Sequence, residues 1–225
     1  MLRKQCFSML NCTLSDYQGS TMARPRQHAP EALHAQVMAA CDEWLNTQPA
    51  HSLSLRALAR EIGCAPSTLL KLYGSFNNLL QYVNVETLKA LSEGIELSAS
   101  AAPQERLGAL AHAYWRFASK HPHRWQLLFE YPLAQEGELD QRQSQAIEAL
   151  FVRVEATLCE LRPGLNEADA NRLARTLWGS VHGLVQLGMT QRLGYSQGRP
   201  VEVTDLLDQL LAMTLAALGA RSLSP

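Results

Sequence analysis

The chain has 225 residues, enough for one large domain or two small ones with a well-buried core. Hydrophobic residues make up 47% of it and charged residues 18%, an ordinary profile for a soluble protein. Abundant Ala and Leu favour helices. The net charge of −1 excludes a chain that is basic throughout, so any surface for nucleic acid must be local.

Targeting signals and metal motifs are missing from the sequence pattern. No apolar run reaches the roughly 18 residues of a membrane span, and the N-terminus lacks the apolar core of a signal peptide. We therefore expect a cytoplasmic protein with no membrane partner. The 5 cysteines form no C-x-x-C pair, so neither zinc nor a disulfide framework is indicated. His121 and His123 flank a proline with no carboxylate or thiol beside them, and we expect no metal there.

The N-terminal segment precedes the first helix. Residues 1–21 lack helical periodicity and are predicted to be a disordered tail. Met22 opens a more domain-like segment and is a candidate for a true or alternative start beside Met1. A helix is predicted from Pro30 to just before Pro49, because apolar residues recur along it at three- and four-residue steps: Leu33, Val37, Cys41, Trp44 and Leu45.

Two short helices and a long one are predicted next. Ser54 can cap a second helix, and Gly63 suits the left-handed residue that closes it. Pro66 occupies the first turn of a third helix, where proline is favoured. A long fourth helix is expected from Phe76 to about Leu97.

The rest of the chain is also predicted to be helical. The stretch from Ser98 to Pro103 is the clearest linker and the candidate domain boundary. No segment alternates with period two for long enough to be a strand, so the predicted fold class is all-α with about nine helices. The remaining helices are expected at about 103–120, 123–130, 138–161, 167–193 and 202–219.

Residues 54–73 have the spacing of a helix-turn-helix, in which two short helices joined by a glycine-containing turn follow a longer bracing helix. Their sequence, SLRALAREIGCAPSTLLKLY, resembles the TetR family of bacterial transcriptional regulators. The framework positions that carry this resemblance are Leu58-Ala59, Gly63, Thr68-Leu69 and Leu79-Leu80.

The resemblance implies a set of DNA contacts and also marks departures from the family pattern. The implied contacts are Ser54, Arg56, Pro66, Ser67, Thr68 and Lys71, with a basic arm at Arg24 and Arg26. Family members usually have a Tyr at the position of Leu70, an aromatic residue or His at Leu72 and a Lys at Phe76, and these residues generally hold the DNA backbone. Ala65 replaces the usual Ser/Thr cap of the recognition helix. Fewer phosphate contacts should lower affinity and flatten its salt dependence.

The C-terminal part resembles a ligand-binding subfamily in two places. The first match is the pattern Tyr114, Phe117, Ala118, Pro122, Leu127 and Phe129. The second is Trp178 to Gly183, which resembles the Trp-His-Gly (WHG) type of C-terminal domain. The implied division is a tail at 1–21, a helix-turn-helix DNA-binding domain at 22–76, a connecting helix and linker at 77–102, and a ligand-binding and dimerisation domain at 103–219.

Dimerisation and ligand binding are expected in that last domain. Gly179 and Gly183 lie on one helical face and permit the close approach of another helix. We expect the apolar helices at 167–193 and 202–219 to form a four-helix bundle with a second copy, the alternative being packing within one chain. Each of the following could line an apolar pocket or be ordinary core: Tyr114, Trp115, Phe117, Trp125, Phe129, Trp178, His182 and Met189.

The expected function is a dimeric, ligand-responsive repressor released from operator DNA by a small apolar or amphipathic inducer. An alternative is a helical scaffold protein whose helix-turn-helix no longer binds DNA tightly. An enzyme is not expected, because no metalloprotease, phosphate-loop, dinucleotide or nucleophile-elbow motif is present, and no cofactor is indicated. The operator, the regulated genes, the inducer and the direction of regulation are not encoded in any motif.

Overall fold

The computed structural model describes residues 29–95, 101–131, 141–193 and 201–220. Within these ranges all regular structure is helical, which confirms the predicted all-α fold. A 3-10 turn, Ala50–Ser52, lies between the first two helices. The α-helices are α1 Pro30–Thr47, α2 Leu55–Ile62, α3 Pro66–Tyr73, α4 Phe76–Glu93, α5 Pro103–Lys120, α6 Pro122–Phe129, α7 Gln141–Leu161, α8 Glu167–Met189 and α9 Val203–Ala220.

Local signals in the sequence explain the boundaries of the N-terminal helices. The Ser54 hydroxyl accepts a hydrogen bond from the N–H of Ala57 at 3.2 Å and caps α2. Gly63 ends that helix in the left-handed conformation, with φ of 75°. Ser75 caps α4 in the same way as Ser54 caps α2, by accepting from the N–H of Asn78 at 3.0 Å.

Two helices end earlier than their periodicity predicts. Helix α4 ends at Glu93 rather than near Leu97, because Gly94 disfavours further helix and the Arg153 guanidinium binds the carbonyls of Ser92 and Ile95. Helix α8 ends at Met189 rather than 193. The chain leaves it through Gln191, whose φ of 54° is incompatible with a continuing helix.

Some predicted features lie outside the described residues. These are the tail at 1–21, residues 98–100 of the linker at 98–103 and the predicted start of the helix at 138. In the described ranges, no helix is long and apolar enough to cross a membrane.

Buried side chains form two hydrophobic cores. The N-terminal core packs α1, α2 and α3 against the first half of α4. Its most deeply buried members are Val37, Cys41, Leu45, Leu58, Ala59, Leu69, Leu79 and Leu80. The C-terminal core packs α5 to α9 against the second half of α4, around Leu107, Ala118, Trp125, Leu158, Ala174, Val185 and Leu207.

Helices α4 and α6 belong to both cores. Leu80 of α4 is buried in the N-terminal core, and Leu91, three turns further on, is buried in the C-terminal core. On α6, Trp125 is buried in the C-terminal core and Leu127 in the N-terminal core. These two rigid elements therefore connect the predicted DNA-binding and ligand-binding regions.

Candidate DNA-binding surface and ligand cavity

Helix α3 lies on the surface and is anchored by two side chains. Leu69 and Tyr73, four residues apart, are buried in the N-terminal core. The Tyr73 hydroxyl hydrogen-bonds Nδ1 of His34 in α1 at 2.8 Å. Because the inner face of α3 is held in this way, its opposite face projects from the domain, as a helix must to enter a major groove about 12 Å wide.

The predicted DNA contacts that the structure describes are all solvent-exposed on α2, α3 or their caps. They are Ser54, Arg56, Pro66, Ser67, Thr68 and Lys71. Helix α3 has no side-chain cap at Ala65, and its first residue, Pro66, has no N–H. The Thr68 N–H donates to the Ala65 carbonyl at 2.9 Å, which leaves the Ser67 N–H to face a phosphate oxygen. Arg24 and Arg26 lie outside the described residues.

The three positions that depart from the family pattern differ in their surroundings. Leu72 and Phe76 pack against the N-terminal core and are partly buried. Leu70 instead remains 43% exposed, on the same side of α3 as Ser67 and Lys71. The projecting face of α3 thus contains an apolar side chain between polar ones.

A cavity of about 310 Å³ lies in the C-terminal core. Its walls come from α4, α5, α6, α7 and α8, with one residue of α9. The volume is at the small end of the range for ligand pockets. The aliphatic and aromatic part of the lining includes Leu88, Leu91, Leu107, Leu110, Ala111, Leu128, Ile147, Leu150, Phe151, Val154, Leu177 and Val181.

Of the eight predicted pocket residues, the structure brings Tyr114, Phe129 and Trp178 to the cavity wall. Burial raises the pKa of Tyr114 well above its usual range, so its hydroxyl stays protonated. That hydroxyl accepts a hydrogen bond from Nε1 of Trp178 at 3.1 Å and contacts Nδ1 of His182 at 2.9 Å.

The other five predicted pocket residues lie behind or beside the wall. Trp125 is fully buried, and its Nε1 donates to Gln186 Oε1 at 3.1 Å. His182 stacks on the Trp125 ring with centroids 5.3 Å apart. Burial lowers the pKa of His182, and the carboxylate of Glu130 offsets part of that shift. The other three pack on the C-terminal core or its helix ends: Trp115, Phe117 and Met189.

Several wall residues were not among the sequence-predicted ones. Leu88 and Leu91 of α4, and Ile147 and Phe151 of α7, have the ordinary spacing of a buried helical face. This spacing is the same whether a buried residue faces a cavity or another side chain, so the sequence does not distinguish the two. Gln143 also lines the cavity and was not singled out, because a lone Gln near a helix start carries no sequence signal.

A polar joint connects α6 to α1. Arg124 forms an ion pair with Asp42, and Nδ1 of His123 hydrogen-bonds the carbonyl of Leu45 at 3.2 Å. Beside this pair, α1, α4 and α6 enclose a second cleft of about 330 Å³ lined by charged residues of both signs. The joint thus attaches α6, which contributes Trp125 and Leu127 to the two cores, to α1.

The outer face of α8 has little covering it. At Gly179 and Gly183, the position that an alanine methyl group would occupy has no neighbouring atom within 4 Å among the residues that the structure describes. Trp178 and Leu187 on this helix and Met213 on α9 are exposed, the last of them to 62%. By contrast, Gly188 closely faces Val203 and Trp115 within the same chain.

Comparisons with known proteins agree with this architecture. The family model described as "Tetracyclin repressor-like, C-terminal domain" matches residues 107–214. A search of curated proteins gives no match.

Solved structures share the fold at low sequence identity. A protein of unknown function from Rhodococcus sp. RHA1 is 22% identical, with a TM-score of 0.66 over 87% of this chain and 99% of its own. The transcriptional regulator SCO7222, a TetR from Streptomyces coelicolor, is 16% identical, with a TM-score of 0.64 over 82% and 96%. BioQ, solved with its double-stranded DNA operator, is 21% identical, with a TM-score of 0.61 over 82% and 98%.

Proposed function

Because the chain belongs to the TetR family of DNA-binding transcriptional regulators, we propose that it is a repressor that a small apolar or amphipathic molecule releases from its operator. Members of this family are transcription factors rather than enzymes, as the sequence predicts for this chain. The WHG subtype and the division into domains at 22–76, 77–102 and 103–219 remain our predictions.

The observation that carries the DNA-binding role is the projecting face of α3. Leu69 and Tyr73 anchor the helix, while Ser67, Thr68 and Lys71 are exposed and can contact DNA. Hydroxyl groups and a lysine at this position suit phosphate oxygens and base edges. BioQ, which has the same fold, was solved on its operator, and that supports a similar use of this surface.

A homodimer is supported by the uncovered face of α8. Glycines in a helix interior cost about 1 kcal/mol each relative to alanine, which is offset where another helix approaches closely. Since nothing described in this chain approaches Gly179 or Gly183, a second copy is the partner that we propose. The interface would form from α8 and α9 of each copy, in a four-helix bundle.

Release by a ligand is supported by the position of α4. Leu88 and Leu91 of this helix line the cavity, and Leu80 lies in the N-terminal core. Asn84 lies between them, fully buried, and neither of its amide atoms has a partner within the described ranges. A ligand that displaces α4 would therefore move the attached helix-turn-helix and change the distance between the two recognition helices of a dimer.

The test is a titration of labelled DNA followed by fluorescence anisotropy. Duplexes enriched from a random library by the full-length protein are compared with scrambled duplexes at several salt concentrations. We expect saturable binding that weakens as salt rises, because phosphate contacts release counterions. Arg56→Ala and Lys71→Ala should each weaken binding several-fold, and removing one phosphate contact should reduce the salt slope by about 0.9.

Arg162→Ala removes a cation outside the helix-turn-helix and serves as the matched control, with unchanged affinity expected. Binding no tighter than to scrambled duplex would instead favour the scaffold protein. Unchanged affinity in both Arg56→Ala and Lys71→Ala would show that this docking surface is wrong.

The dimer is tested by sedimentation of Gly183→Arg at micromolar concentration. The side chain has space in the isolated chain but would collide with a helix of a second copy, so we expect a folded monomer. Ala156→Arg, at an exposed position of α7, should leave a dimer intact. A wild-type protein that sediments as a monomer would contradict the proposed interface.

A further inference from the structure

We propose that the cavity selects an uncharged, largely hydrocarbon ligand with a single hydroxyl-like group, and that the Gln143 side-chain amide recognises this group. The inference rests on the proposed function, since it takes the cavity to be the ligand site. It adds a ligand class and a specificity-determining residue that neither the fold nor the family specifies.

The lining of the cavity excludes charge. Within the described ranges no Asp, Glu, Lys or Arg is among the lining residues, and the side chains with hydrogen-bonding atoms are Tyr114, Gln143 and Trp178. An ionised carboxylate or ammonium group entering this space would lose its hydration and gain no opposite charge. A ligand that is neutral at pH 7 avoids that cost.

Cations close to the wall already have partners. The Arg175 guanidinium lies over the Phe151 ring at 4.5 Å and is bound by the carboxylates of Glu148 and Glu155. Arg153 donates to the backbone carbonyls of Ser92 and Ile95 at the end of α4. Neither is therefore available as a counter-ion for an anionic ligand.

Two of the three polar side chains in the wall are occupied. Nε1 of Trp178 donates a hydrogen bond to the Tyr114 hydroxyl at 3.1 Å. Burial lowers the pKa of His182, so Nδ1 of the neutral ring can accept a hydrogen bond from the Tyr114 hydroxyl, 2.9 Å away. The proton and one lone pair of Tyr114 are thereby used within the protein.

Gln143 is the exception. This residue lies in the first turn of α7 and is only 5% exposed, yet its Oε1 has no hydrogen-bond partner in the part of the chain that the structure describes. Buried amides are nearly always hydrogen-bonded, because an unpaired one costs the free energy of its lost hydration. A ligand hydroxyl that donates to Oε1 would satisfy it, while the hydrocarbon part of the ligand fills the apolar cavity.

The test measures binding of three probes of equal chain length to the full-length protein by isothermal titration calorimetry at pH 7. These are 1-octanol, octanoate and octylammonium. We expect 1-octanol to bind at least tenfold more tightly than either ion. Octanoate binding as tightly as 1-octanol, or no binding of 1-octanol up to its solubility, would overturn the inference.

Variants then assign the recognition to one side chain. Gln143→Leu should weaken 1-octanol binding about fivefold, the value of one hydrogen bond. Gln145→Leu, an exposed position on the same helix, is the matched control and should bind like the wild type. Gln143→Lys adds a cation to the cavity and should reverse the preference towards octanoate. Equal 1-octanol affinity in Gln143→Leu and wild type would remove Gln143 from the proposal.

The calorimetry contains no DNA and tests the ligand class alone, whereas release by a ligand is tested by operator affinity. The two failures can therefore be distinguished. If 1-octanol binds as expected but leaves operator affinity unchanged, the ligand class stands and release by ligand is wrong. If octanoate binds equally well and weakens operator binding, release stands and the inference fails.

Discussion

The N-terminal and C-terminal cores are built from similar amphipathic helices, but they are filled differently. In the N-terminal core, completely buried side chains such as Leu69 and Leu79 line neither of the two cavities described above. The C-terminal core contains a cavity of about 310 Å³ among equally apolar side chains. Close packing gives a rigid support for α3, whereas a void leaves room for a ligand. The difference shows that burial alone does not distinguish a structural core from a binding site.

The largest expected effect is the loss of a leucine in the filled core. Leu79→Ala should lower the free energy of unfolding by about 2–5 kcal/mol, because it removes packed atoms and creates a new cavity. Leu150→Ala, on the wall of the existing cavity, should cost less than half as much. Urea denaturation followed by circular dichroism measures both. Equal losses would show that the cavity is closed in solution.

Enlarging an alanine to a leucine should also affect the stability of the two cores differently, with a smaller difference in the free energy of unfolding. Ala59→Leu adds atoms to the filled N-terminal core and should cost about 1–3 kcal/mol through overpacking. Ala111 lines the cavity, so Ala111→Leu places the same extra atoms in open space. The melting temperature of this variant should equal or exceed that of the wild type. Ala111→Leu should also weaken 1-octanol binding. Comparable destabilisation by both substitutions would contradict an open cavity.

The exposed apolar side chain of α3 provides a test of the DNA-binding region. Leu70 is 43% exposed on the projecting face, and the thymine methyl is the apolar group of the major groove. Replacing thymine by uracil at one contacted position should weaken wild-type binding about fourfold, the effect of one buried methyl group. Leu70→Ala should be insensitive to that replacement. A uracil scan in which no position affects wild-type binding would exclude this contact.

The smallest effect should be a pH dependence from the C-terminal region. Burial lowers the pKa of His182 below its ordinary value of 6.5, so the unfolded chain binds a proton more readily than the folded protein. The stability that the neutral ring contributes is complete above pH 6.5 and is lost as the pH falls below it. His182→Gln should therefore reduce the drop in melting temperature between pH 7.5 and pH 5.5.

His51→Gln, at an exposed position before α2, is the control and should leave the drop unchanged. If His182→Gln retains the full wild-type drop, the histidine beside Tyr114 does not contribute to the pH dependence.

Much of the fold could be predicted from local sequence. The caps at Ser54 and Gly63 and the proline at the start of α3 define their helices through backbone conformations and hydrogen bonds within a few residues. The predicted ends of α4 and α8 were too late, because a distant guanidinium and a left-handed residue decide them. The guanidinium of Arg153 acts over a long range in the sequence, and glutamine is not a residue type that favours the left-handed conformation, so neither helix end has a periodic signal.

The sequence by itself determined the helical class, the helix-turn-helix spacing and the exposed polar face of α3, since each depends on residues close together in the chain. Only the tertiary structure decided which aromatic residues reach the cavity and which lie behind it. Tyr114 and Trp178 face the void while Trp125 is fully buried, although all three are aromatic residues on amphipathic helices. A cavity arises from the mutual arrangement of several helices, and no single stretch of sequence specifies that arrangement.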